Sequence, residues 1–259
     1  MLWFNPVVGA ALACLFGLLL GSFLNVVIHR LPRMQDLESQ TTYNLAWPGS
    51  HCPACLRPLC WWHNLPLLSF VVLRGRCAHC HQSISWRYPL VEATTGVCFA
   101  LLAWMLPTPG LLIGAMGLSA ALIALAVIDC ETGLLPDSLT LSLLWSGLLF
   151  NLFVGVVPLS ECVLGAVLGY GVLWLVYWGF RLISGRIGLG YGDLKLLAAL
   201  GAWLGWTHLP QVLLISSLTG LLAGGILMLS GRLARNDPIP FGPFLACSGW
   251  WVWAWGVFI

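Results

Sequence analysis

Eight runs of mostly apolar residues, at roughly 6–28, 88–106, 111–128, 138–157, 161–182, 194–208, 211–230 and 241–259, leave little room for any other structure. A helix needs about 20 such residues to cross a bilayer. Links such as Pro107 to Gly110 and Leu209-Pro210 are short enough for antiparallel helical hairpins. Only 8% of the 259 residues are charged, against about a quarter in a soluble domain. That excludes a soluble globular enzyme, a disordered chain and a nucleic-acid binder, and a net charge of +2 offers no phosphate-binding surface. The expected fold is therefore an all-α polytopic membrane protein of about eight transmembrane helices. Its 29 Gly and 15 Trp suit close helix packing and interfacial anchoring.

The first run has no basic segment before it and is long for a signal peptide, so it reads as an uncleaved helix. The basic residues then orient the chain. Arg30, Arg33, Arg57, Arg74, Arg76 and Arg87 lie between the first two runs, Arg181, Arg186 and Lys195 around the fifth link, and Arg232 and Arg235 before the last run. With eight crossings all these links fall on one side, which the positive-inside rule makes the cytoplasm. Both termini are then expected outside.

The expected division is 1–28 as a first helix, 29–87 as a cytoplasmic insert and 88–259 as a seven-helix membrane domain. The insert carries Cys52, Cys55, Cys77 and Cys80 in the spacing C-x2-C-x21-C-x2-C. Two such pairs supply four thiolates for a tetrahedral, closed zinc site, and the cytoplasm disfavours disulfides. Cys60, His51, His63, His79 and His81 are weaker alternative ligands. The competing reading is a membrane thiol oxidoreductase that cycles its CxxC pairs.

Ionisable groups at the ends of apolar helices are functional candidates by default. Asp129 closes the third run, and Asp193 opens the sixth within Gly188-Leu189-Gly190-Tyr191-Gly192-Asp193. Two carboxyls that approach each other share a proton, so one can hold it while the other activates water. The alternatives are an N-cap for Asp193 and simple snorkelling for Asp129. Asp137 suits a helix N-cap, while Glu131 and Asp237 read as solvated loop charges. The glycines before Asp193 are expected to let a bound peptide approach the backbone. The helix dipole and nearby Lys195 favour charge on Asp193, which puts the shared proton mainly on Asp129. A transporter is disfavoured because the acids lie at one edge and no inverted repeat is visible.

These residues, taken in order, resemble the type IV prepilin peptidases, the bifunctional leader peptidase/N-methyltransferases of bacterial pilus and type II secretion systems. The resemblance runs from Gly21-Ser22-Phe23-Leu24-Asn25 to His29-Arg30-Leu31-Pro32, through the cysteine pairs and Arg87-Tyr88-Pro89-Leu90-Val91-Glu92. It continues over Asp129, Leu135-Pro136-Asp137, Gly190-Tyr191-Gly192-Asp193 and Pro240-Phe241-Gly242-Pro243-Phe244. It implies a GxGD-type aspartic endopeptidase with Asp129 and Asp193 as its catalytic pair. The implied substrates are prepilins or pseudopilins, cut at the cytoplasmic face of the bacterial inner membrane. It also implies methylation of the new N-terminus from S-adenosylmethionine, with Gly75 and Arg76 as the family's Gly-basic pair.

Overall fold

The computed structural model describes residues 6–36, 43–106, 108–185, 188–231 and 239–258. Arg186, Arg232, Arg235, Asp237 and Pro107 lie outside the described residues. The described residues form nine α-helices and no named strand: α1 Pro6–Asp36, α2 Leu68–Val72, α3 Arg87–Met105, α4 Pro109–Thr132, α5 Asp137–Val154, α6 Leu159–Ser184, α7 Tyr191–Leu204, α8 Leu209–Leu229 and α9 Gly242–Phe258. Eight of them follow the eight apolar runs. Six stretches are long and apolar enough to cross a membrane: Pro6–Met34, α3, α4, α5, α6 and Trp206–Leu229. This is a membrane protein.

Two of the eight expected spans are shorter than these six. Helix α9 has 17 residues, the lower limit for a crossing. Helix α7 has 14, about 21 Å at 1.5 Å per residue. It needs no lipid-facing length, because every residue from Leu196 to Leu204 is buried, and it packs against α5, α6 and α9.

The chain divides into two compact units, residues 1–124 and 125–259. In the first, α1 packs along α3 through small residues. A Cβ on Gly17 would lie 2.7 Å from the Thr95 carbonyl oxygen, and one on Gly21 2.8 Å from the Glu92 Cα. Close backbone approach of this kind replaces the hydrophobic driving force that lipid removes. Helix α1 also continues past residue 28, where the insert was expected to begin. Its C-terminal turns carry a buried Arg30 whose guanidinium donates to the carbonyls of Asn44, at 3.0 Å, and Pro48, at 2.6 Å.

In the second unit α7 is the central helix. Gly165 of α6 and Gly201 of α7 face each other, and a Cβ on either would overlap the other's carbonyl. Buried Asn151 on α5 donates to the Ala202 carbonyl at 3.1 Å and accepts from the Val157 N–H at 3.0 Å. Trp203 Nε1 donates to the Leu143 carbonyl at 2.9 Å. These bonds fix the end of α7 away from Asp193. Gly201→Val should therefore cost about 1–3 kcal/mol or more through overpacking. The check is a lowered melting temperature in detergent; an unchanged one would show that α6 and α7 do not meet there.

Candidate active site

The two acids come together within the second unit. Asp129 stands one turn before the end of α4, where Gly133 turns the chain out of the helix with φ +65°. Asp193 stands at the third position of α7, where its Oδ2 accepts the Gly190 N–H at 3.3 Å. Both are buried, at 6% and 7% exposure, and Asp129 lies near enough for its charge to reach Asp193. Asp193 Oδ1 is buried with no hydrogen-bond partner among the described residues. Such an orphan acceptor is costly unless something else binds there.

The loop after α4 is tied to the start of α7 at two points. Gly192 lies so close to Leu135 that a Cβ would come within 2.6 Å of the Leu135 Cβ. Asp137 pairs with Lys195 at 2.5 Å. This corrects the expected N-cap: Asp137 is the first residue of α5, Pro136 holds the cap position, and no side chain caps the helix. It also takes Lys195 away from Asp193. Two of the glycines before Asp193 pack inside the chain, Gly188 against the Phe180 ring and Gly192 against Leu135.

A third element was not legible as part of the site. The Gly242 N–H, at the start of α9, donates to Asp129 Oδ2 at 2.8 Å. A Cβ there would lie 2.7 Å from that same oxygen. The Gly242-Pro243 pair opening an apolar run was the available signal, since glycine permits a close approach and proline suits a helix's first turn. Gly242→Ala should displace the Asp129 carboxylate and lower any activity of this pair by about 10²-fold, the usual cost of ångström-scale misplacement. Steady-state turnover at unchanged metal content checks this; full activity would mean that Gly242 does not hold Asp129. The grounds for placing a shared proton mainly on Asp129 are weakened: Lys195 is engaged elsewhere, and the α9 N-terminus faces Asp129 as the α7 N-terminus faces Asp193, so a shared proton would be assigned to the pair and not to one member.

In the first unit the four predicted thiols meet. The Sγ atoms of Cys52, Cys55, Cys77 and Cys80 lie within 4.8 Å of one another, and Cys52 and Cys80 are 3.9 Å apart. Tetrahedral bonds of about 2.3 Å to zinc require sulfurs about 3.8 Å apart. The four thiols can hold a metal ion, and the five alternative ligands stand outside the cluster. The two pairs form matching turns. His51 bridges to Pro58 and Arg76 to Ser83, and the residue after each second cysteine, Leu56 or His81, has a left-handed φ of 58° or 59°. The N–H groups of Cys80 and His79 pull the Cys77 thiol down to about 6, while burial and the neighbouring thiols push the Cys80 thiol up to about 11, so one thiol of the cluster is ready to ionise and another needs a bound cation to do so. The short Cys52–Cys80 distance joins the two pairs, as a four-ligand site requires and a CxxC redox couple does not.

Gly75 turns the chain at φ +68°, and its missing Cβ would lie 3.2 Å from the Phe70 ring. Arg76 beside it is exposed. Glu92 was not singled out by charge, yet it is buried and accepts the Leu67 N–H at 2.9 Å.

Residues 15–106 match the family described as Bacterial Peptidase A24 N-terminal domain, and residues 116–225 match the Type IV leader peptidase family. The chain is 50% identical over 264 residues to a prepilin leader peptidase/N-methyltransferase of Aeromonas salmonicida, covering 95% of this chain and 90% of the relative. It is 52% identical to the one of Dickeya chrysanthemi, covering 91% and 88%. It is 46% identical to the one of Neisseria gonorrhoeae, covering 92% and 88%. No solved structure matches. With both family matches in chain order and this identity over nearly its full length, the chain belongs to the type IV leader peptidase family.

Proposed function

We propose that this protein removes the leader peptide from prepilins or pseudopilins and methylates the new N-terminal residue. The observation that carries the peptidase reading is the buried Asp129–Asp193 pair, with one oxygen left without a protein donor. In that reading the attacking water binds at Asp193 Oδ1, and whichever carboxyl of the pair is ionised accepts a proton from it. The partner carboxyl, holding the shared proton, donates to the scissile carbonyl. Collapse of the tetrahedral species passes a proton to the leaving amine. The products are a free leader carboxylate and a new N-terminal amine. Gly242 and Gly190 orient the two carboxylates through their N–H groups.

Zinc in the four-cysteine cluster holds the insert's two turns together and takes no part in bond cleavage. S-adenosylmethionine, when bound, supplies the methyl group. Arg76 is exposed and fits the donor's carboxylate, whereas the Gly75 turn is already explained by its packing on Phe70. The site faces the cytoplasm of the bacterial inner membrane in this reading, with both termini periplasmic and 29–87 on the cytoplasmic side.

The test is incubation of the purified protein with a prepilin, with and without S-adenosylmethionine, followed by mass spectrometry of the product N-terminus. Leader removal in both samples is expected, with one added methyl group only where the donor is present. An intact precursor would refute the peptidase reading, and an unmethylated product in both samples would refute the second activity.

A further inference from the structure

The insert between α1 and α3 reads as wholly extramembrane by its cysteines and arginines, but one stretch of it does not behave as soluble chain. From Pro58 to Leu73 there is no charged residue, and Arg57 and Arg74 bracket the stretch. It is too short to cross a bilayer and is interrupted by Pro66, as expected for an interfacial or re-entrant segment. Its apolar side chains are not turned inward. Trp61, Leu68, Val71 and Val72, with Trp86 at the start of α3, are between 64% and 78% exposed. The Trp86 ring packs on Phe70, 4.9 Å between centroids, which joins Trp86 to this face.

Two hydrogen bonds tie it to α1 and α3. Ser22 Oγ of α1 donates to the Asn64 carbonyl at 3.4 Å, and Glu92 of α3 accepts the Leu67 N–H at 2.9 Å. Ser22 lies six residues inside the end of its apolar run, and Glu92 five residues inside the start of α3. At 1.5 Å per residue these depths are about 9 Å and 7.5 Å. Interfacial helices bury their apolar face about 5–10 Å below the headgroup boundary. The backbone suits that depth, because the stretch folds as one 3-10 turn, Trp61–Asn64, and the short helix α2, both of which pair backbone groups internally. The Glu92 carboxylate takes up the Leu67 N–H at the turn between them.

We propose that residues 58–73 form a monotopic segment that lies in the interfacial layer of the same membrane, with Trp61, Leu68, Val71 and Val72 in contact with phospholipid. The metal-binding turns are then held against the bilayer surface.

The experiment uses the full-length protein in liposomes containing a phospholipid with a diazirine in its acyl chain. After photolysis, adducts are mapped by mass spectrometry. Peptides from 58–73 should carry adducts at about tenfold the yield of 74–83, as expected for an apolar face below the headgroups. Val71→Glu with Val72→Glu should remove most of that labelling while α1 and α3 stay labelled. If this variant fails to fold, the wild-type yields decide alone. Adducts confined to α1 and α3, or a yield on 58–73 unmoved by the two glutamates, would overturn the proposal.

Discussion

Asp129→Asn and Asp193→Asn should each abolish prepilin cleavage, lowering turnover by about four orders of magnitude or more, as for other residues that act as one catalytic unit. The size follows from the chemistry. An amide cannot take a proton from water, and it cannot share one with its partner, so either change leaves the remaining carboxyl with a single fixed role. Asparagine is nearly isosteric, so the helices should stay in place. Asp129→Asn can still accept from the Gly242 N–H and Asp193→Asn from the Gly190 N–H. Metal content and detergent stability should therefore match the parent protein. A fall of only tenfold in either variant would remove that residue from the pair.

Loss of the metal should have the second-largest effect, and on a different property. Structural zinc contributes about 10–16 kcal/mol of apparent folding free energy in small modules. Among the described residues between α1 and α3, the insert holds only short helices and two isolated bridges besides the cysteine turns, which leaves those residues little else to fold around. Changing buried Cys52 and Cys77 to Ser should take bound metal from about one ion per chain to none. The insert should become readily cut by added protease, while cleavage of prepilin falls far less than in the aspartate variants. The thiol oxidoreductase reading predicts the opposite pattern, with activity lost and a disulfide formed and broken in turnover. Metal retained in the double serine variant would contradict the four-sulfur site.

The sequence made the main features of this fold readable for physical reasons. Apolar runs of span length and four cysteines in two pairs admit few solutions, and the structure has helices and a thiol cluster at those positions. What stayed hidden depends on neighbours distant in the chain. Nothing around Gly242 says that its amide meets a carboxylate 113 residues away. Lys195 stands two positions from Asp193 yet pairs with Asp137, because α7 turns that side chain toward the start of α5. Helix α7 keeps the shortness of its apolar run, since a helix surrounded by protein need not match the bilayer. The insert's charge-free stretch was masked by the arginines and cysteines on either side, which dominate any reading of that region as soluble.

In the proposed reaction two carboxyls work as one unit on one water. That joint action is tested most directly by a double-mutant cycle on prepilin cleavage, with Asp129→Asn, Asp193→Asn and the double variant assayed at matched concentration. The double variant should be no worse than either single one, since each already destroys the unit. Losses that multiply, with the double variant far below both singles, would mean that the two acids act independently and would contradict it.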